Sequence, residues 1–169
     1  MHWRLRVART GAGMDGRVTA WCSSIETGIP EIDAQHKALF DLAASFRNHG
    51  DEIRIMKSLA ILCDYAKIHL NDEEALLEKI GYSDLEAHRK AHAEFRRLLR
   101  ELLADARRIG LEQIAVRVEQ LINHWFLNHI LHVDMLYIPM VMAYESYQQQ
   151  LRLQCLNSTS ASSTEPDQA

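Results

Sequence analysis

The chain has 169 residues and a mass of 19.4 kDa, which is enough for one domain with a sizeable core. Its hydrophobic fraction of 47% and charged fraction of 25% exclude a wholly disordered or collagen-like protein. A net charge of −4 argues against a dedicated nucleic-acid binder, and three scattered cysteines are too few for a disulfide framework.

The two ends of the sequence differ in composition from the middle. Residues 1–20 contain several arginines but no apolar core of a secretory signal, so they predict a poorly ordered leader. Residues 157–169 are rich in Ser and Thr and predict a disordered tail. No apolar run reaches the roughly 20 residues that a membrane span needs. We therefore expect a cytoplasmic protein with no membrane or nucleic-acid partner, folded over residues 21–156.

The middle of the chain predicts helices throughout. Apolar residues recur every three to four positions in four long segments, and Gly50, Gly81 and Gly110 have the spacing of helix ends. Ser83 and Glu86 form a capping-box pattern before the third segment. The stripes are Ile32, His36, Leu39, Ala43 and Phe46; Ile55, Leu59, Leu62, Ala66, His69, Glu73, Leu76 and Ile80; Leu85, His88, His92, Phe95, Leu99, Leu102, Ala106 and Ile109; and Ile114, Val118, Leu121, Trp125, His129 and Leu136. This pattern predicts an all-α, antiparallel up-down-up-down four-helix bundle.

Ionisable side chains occur on the apolar stripe of every segment. They are His36 on the first segment, His69 and Glu73 on the second, His88 and His92 on the third, and His129 and Asp134 on the fourth. A spacing of four stacks two side chains on one helical face. Burying so many polar groups without partners would cost several kcal/mol in total. A bound metal is the natural shared partner.

The positions of these residues along the helices test that interpretation. Counted from Gly81, Glu73 and His88 are eight and seven residues away, while His69 and His92 are twelve and eleven away. At a rise of 1.5 Å per residue each pair differs in height by about 1.5 Å. The same count about Gly110 places the groups of the third and fourth segments at similar heights. Counted about Gly50, His36 on the first segment and His69 on the second differ in height by about 7 Å. The second, third and fourth segments therefore place their groups in one layer.

The number and type of ligands indicate two metal ions. Five imidazoles and two carboxylates are too many for one tetrahedral zinc, and imidazole suits Fe, Zn, Cu or Ni. With bridging carboxylates and a shared oxo or hydroxo group, one coordination position stays open. Asp134 follows His129 by five residues, about 140° around an ideal helix. For both to face the metals, the helix needs a π-type bulge or another distortion within residues 130–139.

These residues resemble the hemerythrin family, in particular the single-domain bacterial hemerythrins. The resemblance covers about residues 21–144. Its motifs are an opening with Trp, Gly-Ile, Ile-Asp and Gln-His at Trp21–Lys37; His-x-x-x-Glu at His69–Glu73; His-x-x-x-His-x-x-Phe at His88–Phe95; and Trp, His-Ile, Asp and Tyr at Trp125–Tyr137.

The resemblance implies a non-haem di-iron site, bridged by an oxo or hydroxo group, that binds O2 reversibly and oxidises no substrate. The family pattern assigns the ligands as follows: His88, His92 and His129 on one iron, His36 and His69 on the other, and Glu73 and Asp134 bridging both. It implies the open position on the iron held by His36 and His69. The expected role is an oxygen carrier, buffer or sensor rather than an enzyme, with no protein partner indicated. The alternatives are a di-iron oxidoreductase acting on O2, peroxide or nitric oxide, and a redox- or O2-sensing signalling module.

Two residues depart from the family pattern. Leu70 stands where a Phe is usual, and Phe126 stands where a Leu is common. Because Phe126 lies one turn before His129, we expect it to narrow the O2 pocket. Glu74 points about 100° away from Glu73 and is predicted to be solvated. Three other histidines in the middle of the sequence are expected to lie at the surface or behind the ligands: His49, His124 and His132.

Overall fold

A computed structural model describes residues 21–46 and 52–161 of the chain. The α-helices are α1 (Pro30–Ser45), α2 (Glu52–Ile80), α3 (Leu85–Asp105), α4 (Leu111–Gln120), α5 (Leu127–His132) and α6 (Ile138–Ala161). The shorter elements are a 3-10 turn at Ser23–Ile25, a π-helical turn at Leu121–Phe126 and a 3-10 turn at Asp134–Leu136. The predicted leader, residues 1–20, lies outside the described residues.

The main body is an antiparallel bundle of four helical segments. The fourth segment is α4, the π-helical turn and α5 in continuous sequence, and it packs against both α1 and α3. Since no strand occurs in residues 21–46 and 52–161, the predicted all-α bundle is confirmed. The last helix, α6, packs against α2. It continues to Ala161, five residues past Leu156, where the sequence predicts the end of the folded domain. Residues 162–169 of the predicted tail are not described.

No single helix among the described residues is both long enough and apolar enough to cross a membrane. Among the described residues, one pair of consecutive helical segments has the required length and apolar composition when the two are taken together. These segments are Leu111–Leu136 and Ile138–Gln154, and the chain bends by 50° between them.

The start of α1 is fixed by one carboxylate. Asp33 accepts hydrogen bonds from the Thr27 backbone N–H at 2.7 Å, from the Thr27 hydroxyl at 2.9 Å and from the Gly28 N–H at 2.9 Å. Gly28 has a φ of 80°, which favours glycine, and Pro30 begins the helix where a missing N–H costs nothing. This turn sets where α1 begins and hence where His36 lies.

Gly81 ends α2, as the sequence predicts. Its φ is 72°, and the Tyr82 N–H donates to the Leu77 carbonyl at 2.9 Å while the Gly81 N–H donates to the Glu78 carbonyl at 3.1 Å. These two bonds form a Schellman motif. Gly110 differs from the prediction, since with a φ of −68° it precedes α4 as the N-cap residue.

The capping box predicted before α3 is wrong. The N-cap residue is Asp84 rather than Ser83, and its side chain makes no capping hydrogen bond. The α3 helix therefore begins through backbone bonds, including His88 N–H to the Asp84 carbonyl at 3.0 Å.

The apolar interior consists of two separate clusters. The larger one contains Phe40, Phe46, Phe95 and Phe126 together with aliphatic residues from all four bundle segments. The smaller one lies where α6 meets α2 and the start of α1, and it consists of Ile29, Ile32, Leu77, Ile80, Tyr137 and Val141. The seven polar residues predicted as ligands belong to neither cluster.

Candidate metal centre

The structure brings all seven predicted ligands together. They come from α1, α2, α3, α5 and the 3-10 turn after α5, and each is between 0% and 3% exposed. They are His36, His69, Glu73, His88, His92, His129 and Asp134.

One side of the cluster is organised around Glu73. Its Oε2 lies 3.1 Å from His92 Nε2, 3.4 Å from His88 Nε2 and 3.8 Å from His69 Nε2. The Nε2 atoms of His92 and His129 are themselves 3.1 Å apart. Several imidazole nitrogens thus converge on one carboxylate oxygen.

The other side is organised around Asp134. Its Oδ1 lies 3.0 Å from His129 Nε2 and 3.9 Å from His88 Nε2, and its Oδ2 lies 3.7 Å from His36 Nε2. The rings of His36 and His69 are 4.6 Å apart between centroids. One Asp134 oxygen therefore faces His88 and His129, and the other faces His36.

The ligand atoms fall into two groups that share a carboxylate. One group is Glu73, His88, His92 and His129, and the other is His36, Glu73 and Asp134; in each, the ligand atoms lie within 4.8 Å of one another. His69 belongs to neither group by this distance, although its Nε2 approaches Glu73. Two metal positions with Glu73 between them fit this arrangement.

Unpaired polar atoms test whether the residues fit a metal. In the part of the chain that the structure describes, eight buried nitrogen and oxygen atoms on these side chains have no hydrogen-bond partner. They are Nδ1 and Nε2 of His36, Nε2 of His69, Oε2 of Glu73, Nδ1 and Nε2 of His88, and both carboxylate oxygens of Asp134. Buried polar atoms normally have partners, because an unpaired one costs about 1–3 kcal/mol. Nitrogen and oxygen donors facing one another in this way fit metal cations.

Burial keeps the imidazoles in their metal-binding form. Removal from water lowers the pKa of His36 and His129 to about 4 and that of His69 to about 3, against an ordinary 6.5. Burial raises the pKa of Asp134 well above its usual range, with the Glu73 charge adding to the effect. For Glu73, burial acts upward but the close imidazoles of His88, His92 and His69 outweigh it, so its pKa is well below the ordinary value.

Two of the histidines have partners behind them. His92 Nδ1 lies 2.8 Å from Glu74 Oε1, which also accepts a hydrogen bond from Arg96 at 2.9 Å. His69 Nδ1 lies 3.1 Å from Gln35 Oε1. Such partners orient a ligating imidazole and select its tautomer.

The prediction that Glu74 is solvated is wrong. Its side chain is 18% exposed and sits between His92 and Arg96. Burial raises its pKa, but the hydrogen bonds from His92 and Arg96 prevail and the pKa is lowered. The 100° offset from Glu73 turns Glu74 towards α3, which the sequence of α2 alone does not reveal.

Tyr137 is a buried partner to which the motif analysis gave no role. Its hydroxyl donates a hydrogen bond to Glu73 Oε1, the carboxylate oxygen turned away from the histidines. Burial and the adjacent Glu73 and Asp134 carboxylates raise the tyrosine pKa, so the phenol keeps its proton. The signal in the sequence was its place as the Tyr of the Trp, His-Ile, Asp and Tyr motif, three residues after Asp134.

The predicted distortion near Asp134 is present as a 3-10 turn. Helix α5 ends at His132, its C-cap residue Val133 has φ and ψ of −120° and −54°, and the 3-10 turn Asp134–Leu136 follows. The change of direction turns Asp134 inward beside His129. It also leaves Leu136 67% exposed and Tyr137 fully buried, so the prediction that Leu136 belongs to the buried stripe is wrong. The π-helical turn lies earlier, at Leu121–Phe126.

Aromatic rings enclose the centre on the side of α1 and α2. The Phe126 ring meets His36 and His69 edge-on, with centroid distances of 5.3 and 5.5 Å, and it is fully buried. Trp125 stacks on His129 at 4.7 Å with an interplanar angle of 14°. Trp21 lies 5.8 Å from His36.

The other described histidines stand apart from the cluster. His124 and His132 are exposed, in agreement with the prediction, while His2 and His49 lie outside the described residues.

Comparison with known proteins connects this geometry to one family. The family model described as the hemerythrin HHE cation binding domain matches residues 27–141. A bacteriohemerythrin from Methylococcus capsulatus is 31% identical over 123 residues, covering 69% of this chain and 91% of the relative. A hemerythrin-like protein from Naegleria gruberi is 32% identical, covering 69% and 88%.

A solved structure gives the same result. The crystal structure of a wild-type hemerythrin superimposes with a TM-score of 0.65 at 26% identity, covering 74% of this chain and 98% of that one.

Proposed function

Since this chain belongs to the hemerythrin family, whose function is O2 binding at a metal site, we propose that its seven buried ligands hold two iron ions. The observation that carries the proposal is the set of eight buried, unpaired ligand atoms, which face one another across the centre of the bundle. Imidazole and carboxylate together suit iron, and two ions account for more donors than one ion accepts.

The proposed assignment divides the ligands between the ions. His88, His92 and His129 hold one iron, and His36 and His69 hold the other. Glu73 and Asp134 bridge them, which is supported by the two ligand groups that share Glu73 and by the contacts of Asp134 with both sides.

The iron pair, when bound, would supply the coordination site for O2 and the electrons that reversible O2 binding requires. The chain supplies the surroundings. Buried imidazoles stay unprotonated at neutral pH, and Tyr137 holds Glu73 through its outer oxygen. The Phe126 ring occupies the space beside His36 and His69 and keeps water from it.

We propose that the chain carries, buffers or senses O2 without transforming a second substrate. The support is the filled space beside His36 and His69, where Phe126 and Trp21 leave little room for an organic molecule. In addition, the donor set is rich in histidine, whereas di-iron enzymes built on related bundles have more carboxylates.

The test begins with metal analysis, for which two iron atoms per chain are expected. Anaerobic reduction followed by air should then give a stable optical spectrum that reverses when O2 is removed. Rapid irreversible oxidation with turnover of a reductant would contradict O2 carriage and favour a di-iron oxidase.

A pair of histidine variants makes the test specific. His69→Ala should lower the iron content and abolish O2 binding, because a proposed ligand of one ion is lost. His132→Ala removes an exposed histidine and should leave both unchanged. Unchanged iron content in a folded His69→Ala protein, as judged by circular dichroism, would refute the assignment.

A further inference from the structure

A groove lies on the outer surface of the bundle between α2 and α3, and none of the seven proposed metal ligands lines it. Its volume is about 410 Å³, within the ordinary range for small-molecule sites. Its lining is almost wholly apolar: Ala66, Leu70, Phe95 and Leu99 are between 0% and 6% exposed and form a buried floor, and Ala93 and Leu103 form the open sides. Leu103 is 38% exposed, so part of this apolar surface faces water.

The polar side chains that line the groove are all positively charged. They are Lys67 on α2 and Arg96 and Arg100 on α3, and no acidic residue is among the lining residues. Arg96 and Arg100 are one turn apart and share a helical face. An apolar trough with a cationic edge is complementary to a molecule with an apolar body and an anionic head.

The three cations differ in how far their charge is already neutralised. Arg96 donates to Glu74 at 2.9 Å and to Asn71 at 3.1 Å. Arg100 donates only to the Arg96 backbone carbonyl, at 3.2 Å, and no described carboxylate pairs with Lys67 or Arg100. These two residues therefore have charge available for a ligand.

The Cys63 thiol contributes to the apolar wall. Burial raises its pKa, with the nearby Asp64 charge adding to the effect, so the thiol is uncharged at neutral pH. It offers no anion to compete for the cations.

We propose that the groove between α2 and α3 binds the free anion of a medium-chain fatty acid, with its carboxylate at Lys67 and Arg100 and its alkyl chain along Ala93 and Leu103, over the buried floor formed by Phe95 and Leu99. A cationic or neutral amphiphile lacks the charge that this edge selects. The groove shares Arg96 with the Glu74–His92 contact, but the proposed carboxylate contacts are with Lys67 and Arg100, so the inference does not depend on iron.

Calorimetric titration of the full chain with octanoate, decanoate and dodecanoate, below their micelle concentrations, tests the proposal. Each added methylene that enters the groove should tighten binding about fourfold. Decanol should bind much more weakly than decanoate, and decyltrimethylammonium should not bind. Affinity independent of chain length, or equal for all three head groups, would overturn the proposal.

Charge-reversed variants locate the site. Lys67→Glu and Arg100→Glu should each weaken decanoate binding about tenfold or more, because each replaces a charge-assisted contact by repulsion. Lys57→Glu makes the same change on an exposed α2 residue that does not line the groove, and it should have no effect. Equal losses in Lys57→Glu and Lys67→Glu would refute the site. If Lys67→Glu loses helicity, Lys67→Gln takes its place.

Vesicles distinguish a free fatty acid from a membrane surface. Phosphatidylcholine vesicles containing phosphatidylglycerol should not bind the protein, whereas decanoate should. Vesicle binding without decanoate binding would overturn the proposal in favour of a lipid surface.

Discussion

At the scale of single residues, Phe126 contacts His36 and His69, the two histidines proposed to hold the iron with the open coordination position. Its ring lies edge-on to His36 and His69 and is itself held by Phe40 and Phe95. The sequence predicts that Phe126 narrows the O2 pocket. In the structure its ring fills the space beside the His36 and His69 rings, at centroid distances of 5.3 and 5.5 Å. The side chain is a wall of the site rather than a ligand.

Replacing Phe126 by Leu should open this wall. In the iron-loaded protein we expect faster O2 association and faster autoxidation, because ligand and water reach His36 and His69 more easily. Stopped-flow absorbance measures both rates. The stability cost should be about 1 kcal/mol, since most of the side-chain volume remains.

Phe40→Leu is the matched control. Phe40 belongs to the same aromatic cluster and is equally buried, but its recorded ring contacts are with Trp21 and Phe126. Equal acceleration in the two variants would mean that general loosening of the core, and not the Phe126 wall, controls access.

Tyr137→Phe removes the hydroxyl that donates to Glu73. A hydrogen bond to a buried carboxylate contributes about 2 kcal/mol, so the metal-free variant should lose that much stability in urea unfolding. Tyr82→Phe, in a ring packed against Tyr137, should cost less than about 0.5 kcal/mol. A similar loss in both variants would argue against a special role for the Tyr137 hydroxyl.

At the scale of helices, the sequence predicts most of the site, because a spacing of four fixes which side chains share a face. His69 with Glu73, and His88 with His92, follow from this spacing. Gly81 then sets the height at which the two pairs meet. The layer could therefore be predicted without knowledge of side-chain conformations.

What the sequence does not predict depends on local breaks and on contacts between helices. The 3-10 turn after Val133 rotates the chain, so Tyr137 rather than Leu136 is buried. Glu74 is held by Arg96, a residue of another helix whose reach the α2 pattern does not contain. Helical periodicity predicts a distortion near Asp134, from the 140° offset to His129, but it does not predict which side chain that distortion buries, and it carries no information about the Arg96 contact.

Gly81→Ala tests the turn that sets this register. The backbone at Gly81 has a φ of 72°, and an added Cβ would meet no atom within 4 Å, so the cost is conformational strain alone. We expect a loss of about 1 kcal/mol in thermal or urea unfolding, with iron content unchanged. Gly110→Ala, at an ordinary φ and also free of contacts, should change stability by less than about 0.5 kcal/mol. Equal losses at both positions would contradict the assigned strain.

At the scale of the whole molecule, the ligand layer is a large buried polar region within an apolar bundle. In the metal-free protein its stability depends on pH, because burial lowers the pKa of three histidines. An unfolded chain binds protons on these residues below pH 6.5, whereas the folded chain does so only near pH 4 and below. Stability contributed by the neutral histidines is therefore present above pH 6.5 and lost as the pH falls.

The metal-free protein should accordingly become less stable between pH 6.5 and 4. Asp134, with its raised pKa, opposes part of the effect, so the net slope lies below the about 4 kcal/mol per pH unit that three histidines alone would give. Urea unfolding at pH 7, 6 and 5 measures this slope. Iron loading should flatten it, because bound cations replace the protons. A metal-free protein whose stability is constant over this range would contradict the buried, neutral state of the histidines.

The placement of the ligands along the chain also bears on synthesis. The first proposed ligand is His36 and the last is Asp134, so a ribosome must release nearly the whole bundle before a complete donor set exists. A truncated or stalled chain lacks the α5 histidine and the second bridging carboxylate. We therefore expect complete metal loading only in molecules whose chain extends past Asp134.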